Sequence, residues 1–120
     1  MTDILRSGAA WLEATRKAYA STPAVYHRGA VSVSLNVTIG RLITEDKMEN
    51  DYSIIVTYTD FFITAADLVL SSAVVKPQAG DYLIYDGRKY LAQKAADGAY
   101  WRWSDSFATT IRFHAAEVKV

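Results

Sequence analysis

The sequence predicts a mainly β protein, a small β-barrel or sandwich of about six strands preceded by one α-helix. Three observations carry that expectation. Val31, Val33, Leu35, Val37 and Ile39 alternate with Ser32, Ser34, Asn36 and Thr38, the period of a strand with one buried face. Asp86-Gly87 separates two apolar runs, and this dipeptide supplies the positive φ angles of a tight hairpin. After Pro23, short apolar runs follow one another, each closed by turn-forming residues.

The leading helix is expected over residues 1–22, ahead of a β-barrel over 23–120, in a single domain of 1–120. Thr2 or Asp3 can cap it, and Ser21-Thr22-Pro23 ends it. Leu5, Gly8, Ala9, Leu12 and Tyr19 fall near one face. Arg16 interrupts that face, so its stem must lie along the surface with its charge in water. Trp11 stands off the centre of the stripe, as a core-edge residue or an interface anchor.

Val25-Tyr26-His27-Arg28 reads as a short extended piece and Gly29-Ala30 as a turn. The alternating strand then runs from Val31 to Ile39 and is expected to stop at Gly40, with Leu42 and Ile43 able to extend the sheet beyond it. Residues 44–51, Thr-Glu-Asp-Lys-Met-Glu-Asn-Asp, are charged and mostly acidic, which predicts a loop. Strand character resumes from Tyr52 to Ile63. Thr64 should cap a short helical turn near residue 65, with Asp67 in its first turn. Lys76-Pro77-Gln78-Ala79-Gly80-Asp81 is a turn by composition, and the Asp86-Gly87 hairpin follows. A loop over 94–98 leads to strand candidates at 100–103 and 107–114.

Bulk composition narrows the functional classes. The chain has 120 residues, 51% hydrophobic and 22% charged, enough to bury one core. Thirteen basic residues balance thirteen acidic ones, unlike a general nucleic-acid binder, which needs a basic excess. The absence of cysteine removes disulfides, thiolate zinc sites and a cysteine nucleophile. Met1-Thr2-Asp3-Ile4-Leu5-Arg6 does not resemble a secretory signal, and no apolar run approaches the ~20 residues that span a bilayer. A soluble, cytoplasmic chain without a membrane partner is expected.

Chemical motifs are scarce. His27 and His114 sit in strands without metal-ligand spacing and read as ordinary sheet residues. There is no Gly-x-Ser-x-Gly elbow, no Gly-x-Gly-x-x-Gly and no phosphate-binding Gly-Lys-Ser/Thr loop. No catalytic, metal or cofactor residue is therefore assigned, and the chain is read as a non-enzyme. Glu45, Asp46, Glu49 and Asp51 lack the ordered spacing and central glycine of a calcium loop, and read as a solvated acidic segment. Asn36-Val37-Thr38 matches a glycosylation acceptor but lies in mid-strand. Tyr100-Trp101-Arg102-Trp103 could stack single-stranded bases; otherwise Trp101 and Trp103 share one strand face turned to core or interface. With 8 Tyr, 3 Trp and 4 Phe, the chain holds more rings than a core this small easily hides. Trp11, Tyr58, Trp101 and Trp103 are accordingly the candidate subunit-interface residues.

Four stretches, in order, carry a family likeness. They are Ser7-Gly8-Ala9-Ala10-Trp11-Leu12, Tyr26-His27-Arg28-Gly29, and Asp60-Phe61-Phe62-Ile63-Thr64-Ala65-Ala66-Asp67-Leu68. The fourth runs from Pro77-Gln78-Ala79-Gly80-Asp81-Tyr82-Leu83-Ile84 through Gly87-Arg88-Lys89-Tyr90-Leu91 to Trp101-Arg102-Trp103-Ser104-Asp105 and Thr110-Ile111-Arg112-Phe113-His114. Together they cover most of the chain, which resembles the head-tail joining, stopper or head completion proteins of long-tailed phages and prophages. It departs from that family in having no glycine in the acidic segment 44–51.

The resemblance implies a β-barrel or sandwich with an added helix, assembled with copies of itself into a ring, commonly a hexamer. The ring would lie at the head-tail interface of the virion, between the portal and adaptor and the tail terminator or tail tube. It would close the filled head, dock the tail and let DNA pass through its lumen without sequence-specific binding. Before incorporation the chain would be in the host cytoplasm. Glu45, Asp46, Glu49 and Asp51 are the expected lumen residues, placed to repel phosphate. Other readings are a tail terminator or minor tail-tube protein, and a small barrel that binds a peptide or oligonucleotide through Trp101 and Trp103.

Overall fold

The computed structural model describes residues 21–118, with Glu49 described by its backbone alone. The helix expected over residues 1–22, with Trp11, lies outside them apart from its last two positions. Of those two, Thr22 already belongs to the first strand.

The described chain is mainly β. Its strands are β1 (Thr22–Arg28), β2 (Val31–Glu49), β3 (Tyr52–Thr64), β4 (Val69–Leu70), β5 (Ala73–Val74), β6 (Tyr82–Tyr85), β7 (Arg88–Ala92), β8 (Trp101–Trp103) and β9 (Thr110–Val118). A single 3-10 turn, Ala65–Asp67, falls where a helical turn is expected, with Thr64 at its N-cap position but no capping bond from its side chain. The sequence's about six strands become seven in one antiparallel sheet, ordered β3-β2-β1-β6-β7-β9-β8, plus the small β4-β5 pair. β9 pairs with β3 along one edge, and its other edge is shared between β7 and β8. The chain of pairings thus returns from β9 to its first strand.

Inward-facing alternate positions fill the interior. Tyr26, Val37, Phe61, Ile63, Leu83, Ile111, Phe113 and Ala115 are fully buried. Their rings meet edge to face: Phe61 lies 4.8 Å from Tyr90, and Tyr26 lies 5.4 Å from Phe113. One buried charge sits beside this core. Asp81, within the expected turn, accepts from Arg28 Nη2 at 2.8 Å, from Arg28 Nε at 3.0 Å and from the Gln78 N–H at 3.0 Å. The Tyr26 hydroxyl also donates to Asp81. Burial and the neighbouring carboxylate push the Tyr26 phenol well above its ordinary pKa, so it stays a donor.

The Asp86-Gly87 hairpin forms as its sequence requires. Tyr85 pairs with Arg88, and the two turn residues take φ of 52° and 74°. Before β9, the Asp105 carboxylate accepts from the backbone N–H groups of Phe107, Thr109 and Thr110. That turn delays the last strand from the expected Phe107 to Thr110.

Two expectations are corrected. The alternating strand does not stop at Gly40, and residues 44–51 are not a loop. β2 continues to Glu49, pairs with β3 from Leu42↔Thr59 to Glu49↔Tyr52, and turns at Asn50 and Asp51 with φ of 50° and 67°. Ile39 pairs with Phe61 and Leu42 with Thr59, so β2 holds one extra residue at Gly40-Arg41, a β-bulge. The physical reason lies in the partner. The β-branched run Ile54-Ile55-Val56-Thr57 templates an acidic strand whose own composition disfavours β structure.

Candidate functional site: the projecting hairpin and its cleft

β1 leaves β2 after Val37, and β9 meets β3 only from Thr59 onward. Beyond those points the two strands have no other partner among the described residues. Residues 42–58 therefore form a two-stranded ribbon, which at about 3.3 Å per residue reaches some 25 Å past the sheet. A two-stranded hairpin is only marginally stable by itself in water, and this one is held at its root by the sheet that continues into it.

The register sorts its side chains. Leu42, Thr44, Asp46 and Met48 share a face with Thr59, Thr57, Ile55 and Ser53. This face continues the core-facing side of β3 out into solvent. Leu42, Ile55 and Met48 on it are 67%, 67% and 71% exposed. On the opposite face Ile43, Glu45 and Lys47 lie beside Tyr58, Val56 and Ile54. Here the ribbon begins as the wall of a cleft.

That open cleft, about 760 Å³, is lined by Gly40, Arg41, Leu42, Ile43, Glu45, Tyr58, Asp60, Phe62, Arg102 and Arg112. Asp60, 2% exposed, lines the cleft, and the fully buried His114 lies behind it with Nδ1 2.6 Å from Asp60 Oδ1. The Tyr58 ring packs on His114, centroids 4.6 Å apart, and its hydroxyl donates to Glu45. Burial and the Glu45 carboxylate push the Tyr58 phenol upward. Arg112 lies over the Phe62 ring at 5.3 Å, with its Nε 3.6 Å from Asp60 Oδ2. Arg102 stands directly opposite Arg112 across the β8-β9 ladder. Like charges at that spacing repel.

The residues singled out in the sequence distribute unevenly. Glu45 is in the cleft wall, Asp46 is exposed on the ribbon, Asp51 is in its turn, and Glu49 is the last residue of β2. Tyr58 is 2% exposed, so within one subunit its ring is covered. Trp101 is half-buried against the core, and Trp103 is 37% exposed, its ring edge-on to Trp101 at 5.0 Å. Trp11 lies outside the described residues. Among the described residues Tyr26, Tyr58, Phe61, Tyr90 and Phe113 are buried, six further Tyr, Trp and Phe rings are half-buried, and Trp103 and Tyr52, 73% exposed, stand out; much of the exposed apolar surface is instead the ribbon's aliphatic set.

His27 stacks on Tyr82 at 4.6 Å, as an ordinary sheet residue does. Sequence reasoning missed Arg41, Asp60, Arg102 and Arg112. The available signal was that Arg102 and Arg112 each alternate with aromatic or apolar residues, which aims both arginines to the same side of their strands. Among the described residues no group of three or more His, Asp or Glu is arranged to hold a metal ion. No helix among them is long and apolar enough to cross a membrane.

Compared with known proteins, residues 2–120 match the family model described as phage head-tail joining protein. No curated protein matches the chain.

Proposed function

We propose a connector role in the virion for this chain, which belongs to the phage head-tail joining protein family. The match over residues 2–120 carries the reading, because it spans nearly the whole chain and not one motif. In this role the cyclic sheet is a small barrel, and copies of it close into a ring, commonly of six, between portal-adaptor and tail. The ring retains DNA in the filled head, docks the tail and later lets DNA through. It performs no catalysis.

The projecting hairpin supports ring formation. A ring needs two different surfaces on each subunit that fit one another. A ribbon with an exposed aliphatic face, standing beyond the sheet that folds it, supplies one of them. Its tip, with Glu49 and Asp51, borders the DNA path, where carboxylates offer phosphate nothing to bind.

Assembly without this protein tests the role. Heads should fill, lose DNA and carry no tail, and purified protein added back should restore joining. Intact heads with tails of irregular length would make the chain a tail terminator instead.

A further inference from the structure

We propose that the ribbon of one copy docks in the arginine-lined cleft of the next copy; this rests on the ring reading above. Charge selects the occupant. The ribbon, residues 42–58, carries four carboxylates and one lysine, a net −3 in a chain whose total is zero, so the remainder of the chain is +3. Two such ribbons side by side would repel, which argues against pairing edge to edge. What they complement is a cationic surface.

The cleft offers one, for Arg41, Arg102 and Arg112 outnumber Glu45 and Asp60 along its lining. Among the described residues neither Arg41 nor Arg102 forms an ion pair, and the Nε of Arg112 is buried without a hydrogen-bond partner. Arg102 and Arg112 face each other across adjacent strands, and Asp60 offsets only part of their charge. Such an arrangement costs stability in a lone subunit and is relieved when an anion arrives. Leu42, Ile43 and Phe62 give the cleft apolar walls. An incoming ribbon matches both features, with Ile55 and Met48 for the walls and Asp46 for the arginines.

The contact is head-to-tail, since the outer part of one ribbon meets a cleft built from the sheet and the ribbon root of the next copy, and such contacts close into a ring when the rotation permits. It also covers cations that would otherwise hold DNA phosphate.

The absence of cysteine makes a clean test possible. In the full chain, Met48→Cys and Arg102→Cys are combined, and assembled heads and concentrated protein are oxidised. Position 48 lies about 20 Å along the ribbon from Leu42 at strand spacing. A disulfide needs Cα atoms within about 7 Å, so a bond within one chain is out of reach. The expected result is a ladder of covalent oligomers ending at the ring, absent from either single variant. Arg102→Glu should weaken self-association about tenfold, and Asp46→Lys added to it should recover most of that loss, as for a close interfacial charge pair. Oligomers without the ladder would overturn the docking and leave the ring standing. Cross-links to another virion protein would assign the cleft a different partner. Absence of any self-assembly, on heads or in solution, would sink ring and docking together.

Discussion

The Tyr58 hydroxyl donates to the Glu45 carboxylate across the root of the projecting hairpin, joining β3 to β2 where the sheet stops supporting them. The two residues are diagonal neighbours: Tyr58 stands opposite Ile43, and Glu45 opposite Val56. The bond forms on the cleft side, with the phenol ring held on His114. The hairpin's direction is therefore coupled to the buried Asp60-His114 pair beneath it.

Tyr58→Phe removes the donor and keeps the ring. It should cost about 1 kcal/mol, the usual net worth of one such bond. Amides in 42–49 and 52–58 should exchange faster while those of β9 keep their protection. Equal loss of protection throughout would mean that the bond supports the whole fold and not the hairpin's root.

Asp81 raises a larger stake. It is 1% exposed and satisfies Arg28, Tyr26 and the Gln78 N–H at once. The nearby carboxylate, above all through its hydrogen bonds, holds the Arg28 guanidinium above its ordinary pKa. Asp81→Ala would strand a cation and a phenol against the core. Arg28 keeps some solvent and its bond to the Lys76 carbonyl, so the loss is that of several charge-assisted hydrogen bonds, about 2 kcal/mol or more, and urea denaturation should show a lower midpoint for Asp81→Ala than for Tyr58→Phe.

Legibility followed the reach of the interactions. The Asp86-Gly87 hairpin was readable because both strands and their turn lie within eleven residues and obey one local rule. The 31–39 alternation was readable for the same reason. Residues 44–51 were misread because their own composition says loop, while the residues that make them a strand are on β3. Tyr52–Thr64 held the missing clue, since a strand of 13 residues needs a partner of comparable length. The Asn50-Asp51 turn was also available, because both residue types tolerate positive φ without glycine. Asp60 with His114, 54 positions apart, and Arg102 opposite Arg112 depend on register across the closed pairings. No local pattern encodes those meetings. Tyr58 stands out in the sequence only as an aromatic residue, whereas its burial comes in part from His114 on another strand.

The Asp105 turn gives a pH dependence whose sign is fixed by its bonds. Burial alone would raise this carboxyl, but the N–H groups of Thr110, Thr109 and Phe107, with the Thr109 side chain, outweigh it and hold the pKa below the ordinary value. A lowered folded-state pKa stabilises the protein above the unfolded value near 3.9, and that contribution is lost as pH falls through the folded value. Asp105→Asn should thus be less stable than the parent at pH 7, and the gap should narrow below about pH 4. Denaturation midpoints at pH 7, 5 and 3 measure it; a gap that widens in acid would refute the assignment.

Gly40 sets how the ribbon leaves the sheet. It lies in the bulge between Ile39 and Leu42, where a Cβ would stand 3.0 Å from the Asp60 carbonyl oxygen and 3.0 Å from Phe62 Cε2. The Phe62 ring can turn aside, but the Asp60 carbonyl is β3 backbone and moves only with its strand. Bulges bend the strand that carries them, so a side chain here re-aims the ribbon before it unfolds anything. Gly40→Ala should cost about 1 kcal/mol and Gly40→Val more, as overpacking of a tight contact does. Tail joining should fall more steeply than this loss explains, because the re-aimed ribbon then misses the proposed docking cleft. Pairing each variant with a core change of equal stability cost separates the two effects: similar joining by both would show that only stability had changed, whereas selective failure of the Gly40 variants ties function to the hairpin's direction.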